Sequence, residues 1–433
     1  MAFPKPFLHR TIRKFASRAW KPLVFPSTGF ARIRPEQRVD EETIPQYVAS
    51  DYYPVRVGDV FQDRYQVVGK LGYGTTSTVW LARDLSACRH VALKVFLHSE
   101  AMWNKVDAEL NIYKRVARAP DDCIGRFFIR PLLDDFNIDG PMGRHQCLVH
   151  QPLWKSVHDL RHCNPVRRLP EVMMANLLLR IFLALDFLHT ECHVAHTDIK
   201  EHNMLIGADS SIFHSFEEEE LAQPCPRKEV DGRTIYEYRE LNNFPKEYGQ
   251  PALCDLGSAV ALDDGVEHRE DIQPNIYRAP EVILGVPWSY SVDVWNVGEQ
   301  ALADEACALQ IWDAFEGESL FSGRDPEHKK YRGRAHLAEM MALLGPPPAS
   351  LLARANHRAK FFDEAGNFHA GIPLPESKPL EQRETTLAGD GKTEDRELFL
   401  RFMRKMLQWE PEKRSSAREL VEDEWIVKNT MDE

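Results

Sequence analysis

The sequence predicts an α+β fold, with a strand-rich N-terminal portion and a larger, mostly helical remainder. Tyr65-Gln66-Val67-Val68 and Val79-Trp80-Leu81-Ala82 are rich in β-branched and aromatic residues, which suit a half-buried pleated ribbon. Over residues 105–116, Val106, Leu110, Tyr113 and Val116 recur at helical intervals. Over 175–189, the most apolar stretch of the chain, Leu178, Ile181, Phe182, Leu185 and Leu188 do the same.

From the N-terminus, Lys5, Arg10, Arg13, Lys14, Arg18, Lys21, Arg32 and Arg34 precede any acid, the first being Glu36. Phe7, Leu8, Ile12, Phe15 and Trp20 are interleaved, as in a mitochondrial transit peptide. Pro4, Pro6 and Pro22 favour instead a disordered basic extension, taken as residues 1–50. Between the two strand runs lies Leu71-Gly72-Tyr73-Gly74-Thr75-Thr76-Ser77-Thr78. Gly72 and Gly74 let a turn approach phosphates without interference from a Cβ. Ser77 takes the place of the third glycine of G-x-G-x-x-G, so an ordinary hairpin turn is the competing reading. Val91-Ala92-Leu93-Lys94 then ends an apolar strand on a lysine, and Glu109 and Asp107 lie on the helix that follows. Farther along come His196-Thr197-Asp198-Ile199-Lys200-Glu201-His202-Asn203 and Asp255-Leu256-Gly257.

In this order the strings resemble the eukaryotic protein kinases and, within their CMGC group, the SR-protein kinases (SRPK family). The closer likeness rests on Tyr53-Pro54-Val55-Arg56-Val57-Gly58-Asp59, Arg64-Tyr65 and Lys70-Leu71-Gly72-Tyr73-Gly74, with Asp255-Leu256-Gly257 as a variant of D-F-G. Tyr277-Arg278-Ala279-Pro280-Glu281, Ser291-Val292-Asp293-Val294-Trp295 and Pro411-Glu412-Lys413-Arg414 continue it. The resemblance implies a bilobal fold, with an N-lobe over 51–152 and a C-lobe over 153–428, and serine/threonine phosphoryl transfer from Mg-ATP. Such transfer needs the hydroxyl and γ-phosphate held in line and the developing charge neutralised. Asp198 would accept the hydroxyl proton and Lys200 would lie against the transferring phosphate; Asn203 and Asp255 would hold Mg²⁺. Leu71, Gly72, Gly74, Val79 and Ala92 would line the nucleotide, and Lys94 would meet its α/β-phosphates with Glu109 as its anionic partner. After Gln146-Cys147-Leu148-Val149-His150, the Gln151 carbonyl and the Leu153 N–H would meet adenine, with His150 as a polar gatekeeper. Asp293 would cap the catalytic-loop backbone, and Glu281 would pair with Arg414. The implied partner is a protein substrate, including arginine/serine-rich proteins of RNA processing and splicing.

Several positions depart from the family pattern. Thr197 replaces the arginine that usually precedes the catalytic aspartate, and Ser258 is the only serine or threonine between Asp255 and Glu281. Constitutive activity, without an activation-segment phosphate, follows as an expectation. Glu201 replaces a proline, with little effect expected. A spacer near 208–250 carries Glu217-Glu218-Glu219-Glu220, read as a solvated acidic run rather than a basic-substrate dock. An insertion at 299–310 interrupts the expected C-lobe helix after Trp295-Asn296-Val297-Gly298. It supports an alternative reading, a catalytically impaired pseudokinase or scaffold.

Composition bounds the rest. With 433 residues and 43% hydrophobic content the chain can bury a large core. A net charge of −12 argues against general nucleic-acid binding and suits basic substrates. Eight dispersed cysteines with no C-x-x-C pair indicate neither a zinc site nor a disulfide framework. His189, His193 and His196 cluster in sequence without completing a ligand set. Arg180 and Asp186 interrupt the 175–189 stretch, which is read as too short for a membrane span. A monomer in cytoplasm or nucleus is expected, or in mitochondria if the basic terminus is a transit peptide.

Overall fold

The strand signals around residue 65 extend into a six-stranded antiparallel sheet of order β1-β2-β3-β4-β6-β5. Its strands are β1 (Val60–Phe61), β2 (Tyr65–Tyr73), β3 (Ser77–Asp84), β4 (Arg89–Phe96), β5 (Leu132–Gly140) and β6 (Gly143–His150). The structure is a computed structural model. It describes residues 19–430 apart from 46, 99, 166–167, 264, 299–311, 313–315, 317–319, 390 and 392. The chain forms two compact units. The first holds residues up to Met102 with Leu132–Pro152 and Ser210–Phe244; the second holds Trp103–Pro131, Leu153–Asp209 and residues from Pro245 on.

Strand alternation gives the sheet of the first unit two faces. Val67, Trp80, Ala82, Val91, Leu93, Val95, Cys147 and Val149 bury one face with Val55, Phe61 and Tyr236. Tyr236 comes from the spacer, which the sequence leaves without assigned structure. The spacer folds as α4 (Ser211–Ala222) and a hairpin of β9 (Arg227–Val230) and β10 (Arg233–Tyr236). Its acids are not simply solvated. Glu217 pairs with Arg83 at 3.2 Å and His90 at 2.9 Å, and buried Glu220 pairs with Arg239 at 3.1 Å. One face of α4 lies on the sheet, so Glu217 meets the sheet's cations, whereas Glu220 is met by Arg239 from the chain that follows β10.

The segment before the sheet also departs from the expectation of disorder over 1–50, as far as it is described. Ile33 and Val39 are buried with Ile235 and Val230, and Glu41 forms a buried ion pair with Lys70. Arg227 lies 3.8 Å over the Phe30 ring, and Lys228 donates to the Pro35 and Gln37 carbonyls. The hairpin's cations thus satisfy backbone carbonyls of an arm that has no ladder of its own. Residues 1–18, including most of the transit-peptide signal, lie outside the described residues.

In the second unit the predicted helices are longer than read, as α1 (Glu100–Arg118) and α3 (Glu171–Thr190), with α2 (Val157–Cys163) between them. Helix α3 is 20 residues long, with a mean hydropathy of 1.7 in its most apolar window. By length and composition it could cross a membrane, which corrects the reading of it as too short. In this fold Met174, Leu178, Ile181, Phe182, Leu185 and Leu188 are buried, and it packs on the helices Ala417–Val421 and Glu424–Thr430. Two short antiparallel strand pairs carry the functional turns: β7 (Val194–Ala195) with β12 (Val260–Ala261), and β8 (Met204–Ala208) with β11 (Tyr248–Leu253). Helices α5 (Pro280–Leu284) and α6 (Ser291–Gly298) follow. The insertion at 299–310 lies outside the described residues; beyond it Trp312 is buried and stacks on Phe399, which packs on Trp425. The seven described cysteines are free.

Candidate active site

On the other face of the sheet, strand register gathers most of the expected nucleotide-lining residues. Val79 pairs with Lys94, Lys94 with Leu148, and Ala92 with His150. Directly opposed residues share a face and i, i+2 residues return to it, so Val79, Ala92, Lys94 and His150 are neighbours. The Lys94 ammonium lies 4.9 Å from the Phe96 ring centroid. Leu71, Gly72 and Gly74 fall at the end of β2 and its turn, where the Gly74 N–H donates to the Ser77 carbonyl at 2.8 Å. A Cβ at Gly72 would meet nothing within 4 Å, so this edge is open to a ligand. Gln151 follows β6, and Leu153, in the second unit, packs on Leu205, Ala252 and Cys254.

In the second unit the 196–203 string forms a tight turn ending in a 3₁₀ segment, Glu201–Asn203. The Lys200 ammonium lies 2.8 Å from Asp198 Oδ2. Asn203 Nδ2 donates to the same Oδ2 at 3.0 Å and to the Asp198 carbonyl at 2.9 Å. That orientation leaves the Asn203 side-chain oxygen as its ligand atom. The Cys254 N–H donates to the Asn203 carbonyl at 2.8 Å, which fixes Asp255 beside this turn. Asp255 itself has φ 62°, a left-handed conformation that re-aims its side chain at the start of the 256–258 turn. Glu109 is buried on α1; a Cβ at Gly257 would lie 3.0 Å from its Oε2 and 3.2 Å from Asp255 Oδ1. Glu109 therefore reaches the Asp255-Leu256-Gly257 turn. Lys94, its expected partner, belongs to the first unit.

Asp293, fully buried on α6, holds the catalytic turn from behind as expected. Its carboxylate accepts from the His196 N–H at 2.7 Å, the Thr197 N–H at 2.8 Å and His189 Nε2 at 2.9 Å. Thr197 has φ 64°, a strained conformation for a β-branched residue. Arg414 forks onto Glu281 with two bonds of 2.6 Å, both side chains fully buried.

Other supports went unread in the sequence. Glu201, expected to matter little, is buried and bonded to Arg161 of α2 at 2.8 and 3.0 Å. Burial pushes its carboxyl pKa up, with Arg161 opposing. The Thr197 hydroxyl donates to the Ser258 carbonyl at 2.7 Å. Gln273 donates to the Val292 carbonyl at 2.9 Å and accepts from the Ala279 N–H at 2.8 Å. Arg115 meets Asp263 at 2.6 Å. Thr197 and Glu201 had one signal in common, since each stands where the family pattern has another residue; Gln273 had none.

In the second unit the all-oxygen set of Asp255 and Asn203 beside Asp198 fits Mg²⁺ in donor chemistry, and in the first unit, taken by itself, the open glycine edge suits a phosphate chain. Comparison with known proteins agrees. The protein kinase domain family matches residues 65–426. A serine/threonine protein kinase of Aspergillus fumigatus is 39% identical over 425 residues, covering 98% of this chain and 99% of that protein. Serine/threonine-protein kinase SRPK of Physarum polycephalum is 28% identical over 410 residues, 90% of this chain and 92% of its own. SRSF protein kinase 3 of Mus musculus is 36% identical over 167 residues, 39% of this chain and 30% of its own. A crystallised kinase domain matches with a TM-score of 0.65 at 22% identity, covering 87% of this chain and 99% of that one, a likeness of fold.

Proposed function

The chain belongs to the protein kinase family and is a serine/threonine kinase of the SRPK type, and from that premise we propose that it phosphorylates arginine/serine-rich proteins with Mg-ATP, without needing a phosphate on its activation segment. The observation that carries the reading is the Asp198–Lys200–Asn203 network. Two cross-bonds hold Asp198 Oδ2, so Oδ1 is the atom with room for a proton. In the transfer the substrate oxygen would bond to the γ-phosphorus, its proton would move to Asp198, and the bond to the ADP oxygen would break. The Lys200 ammonium would offset charge on the transferring group. Asp255 and the Asn203 oxygen would hold Mg²⁺, which when bound neutralises phosphate charge.

The substrate class is supported by the SRPK relatives and by the net charge of −12, which favours encounter with basic chains. Independence from phosphorylation is supported by the protein groups that tie the activation segment, Thr197 to Ser258 and Gln273 to Val292 and Ala279. Residence in cytoplasm or nucleus is part of the proposal, and import of a fluorescent fusion of residues 1–40 into mitochondria would overturn it. Radiolabel transfer from ATP to an Arg-Ser repeat peptide, with a Lys-Ser peptide as comparison, tests the substrate. Phosphatase-treated protein should transfer label and prefer the Arg-Ser peptide, and Asp198→Asn should lose about 10²–10⁴-fold. Equal rates on both peptides, or activity lost with the phosphatase, would overturn the corresponding clause.

A further inference from the structure

Asn203 sits between two attachments of the chain to α2. Before it, Glu201 is fully buried and takes both arms of the Arg161 fork, Nε to Oε1 at 2.8 Å and Nη2 to Oε2 at 3.0 Å, and Arg161 is itself buried on α2. A forked pair fixes orientation as well as distance. After it, Ser156, which caps α2 by accepting from the Asp159 N–H at 3.1 Å, bridges to Leu205. The Ile206 N–H donates to the Lys155 carbonyl and the Trp154 N–H to the Ile206 carbonyl, both at 2.9 Å. Between these points lies one 3₁₀ turn, closed by the Asn203 N–H on the Lys200 carbonyl at 2.8 Å and the Met204 N–H on the Glu201 carbonyl. A single turn of this kind has poor hydrogen-bond geometry and holds its shape only with outside support.

The backbone here is the one a proline would impose. Lys200 is extended, at φ −157° and ψ 159°, as the residue before a proline has to be. Glu201 opens the 3₁₀ segment, where a missing N–H breaks no turn bond and the ring's φ of about −65° is the one the turn needs. The family pattern has proline at this position, and this chain keeps the conformation without the ring. We propose that the Arg161–Glu201 pair takes the ring's place as a positioning device, fixing the turn on which Asn203 presents its side-chain oxygen to Mg²⁺. The inference rests on the ligand role proposed above for Asn203.

Two measurements on the full chain test it. Amide exchange in metal-free protein reads the Asn203 and Met204 N–H groups, and EPR titration with Mn²⁺, beside a non-hydrolysable ATP analogue, reads the metal site. Glu201→Gln should speed exchange at both amides and weaken Mn²⁺ binding about tenfold. Arg161→Met/Glu201→Pro, with no charge left unpaired and the ring restored, should return Mn²⁺ affinity to within about threefold of wild type. Unchanged exchange or unchanged Mn²⁺ affinity in Glu201→Gln, even with a lower Tm, would overturn the positioning role and leave a pair that only adds stability. So would a double variant as weak as Glu201→Gln. Asn203→Ala keeps the two readings apart: it should weaken Mn²⁺ more than Glu201→Gln does, and unchanged affinity would overturn the ligand role itself. Should Glu201→Gln fail to fold, Arg161→Lys, which keeps the charge but not the fork, decides in its place; Mn²⁺ about threefold weaker supports the pair, and unchanged affinity overturns it.

Discussion

Replacing Asp293 by asparagine tests whether the catalytic turn is held from behind by charge. Three donors converge on its carboxylate, the His196 and Thr197 N–H groups and His189 Nε2. An asparagine of the same shape offers one oxygen, and its amide would point a donor at a donor, so at least one buried N–H loses its partner. That loss costs about 1–3 kcal/mol, and the bonds that remain fall from charge-assisted to neutral strength, about 1 kcal/mol each. The sum is roughly 3–5 kcal/mol. Thr197, at φ 64°, keeps its strained conformation only while the surrounding bonds enforce it. When it relaxes, Asp198 moves, and a misplacement of about 1 Å at a reacting group costs about 10²-fold in rate. Steady-state transfer to an Arg-Ser peptide should therefore show kcat down about 10²-fold in Asp293→Asn with KM for ATP little changed, and a thermal scan should show a lower Tm. A variant whose kcat stays within threefold of wild type would refute the reasoning.

Glu281→Gln leaves the Arg414 charge buried beside the Trp295 ring and should cost about 3–5 kcal/mol, read as a lower denaturation midpoint; adding Arg414→Met should restore part of it, and no restoration would count against the buried-charge account. Gly69→Ala would place a Cβ 2.8 Å from the Phe216 ring, and overpacking there should cost about 1–3 kcal/mol, relieved by Phe216→Leu; equal midpoints for wild type and Gly69→Ala would refute the contact between β2 and α4. Burial lowers the pKa of His336 from 6.5 to about 4, so the unfolded chain takes up this proton more readily than the folded one. Stability from this group is present above pH 6.5 and is lost as pH falls toward 4, by roughly 3 kcal/mol in all. His336→Gln should flatten denaturation midpoints over that window, and an unchanged slope would show that the ring does not stay neutral.

What the sequence made legible was mostly local. The Asp198, Lys200 and Asn203 spacing sits within six residues, so one turn brings them together with no help from distant chain. The glycine turn and Lys94 were readable for the same reason, since strand alternation alone puts Val79, Ala92 and Lys94 on one face. Glu281 and Arg414 were paired in advance only through family resemblance, because nothing local links them. Glu201 was misread because its partner Arg161 lies 40 positions away, and Glu217 because His90 lies 127 away. A run of four glutamates looks solvated until the cations opposite are known. The arm before the sheet looked disordered from its prolines and charges, yet it is held by Arg227 and Lys228, which the chain reaches far later.

That late arrival orders events at the ribosome. Tyr236 helps close the apolar layer beneath Trp80, their rings edge to face at 5.7 Å, so the strands translated first must wait for a residue more than a hundred positions downstream. Until it emerges, Val67, Leu93 and Val149 lack their cover, and such nascent surfaces invite chaperones or aggregation. Excising the 210–244 loop as a dispensable linker would make that exposure permanent.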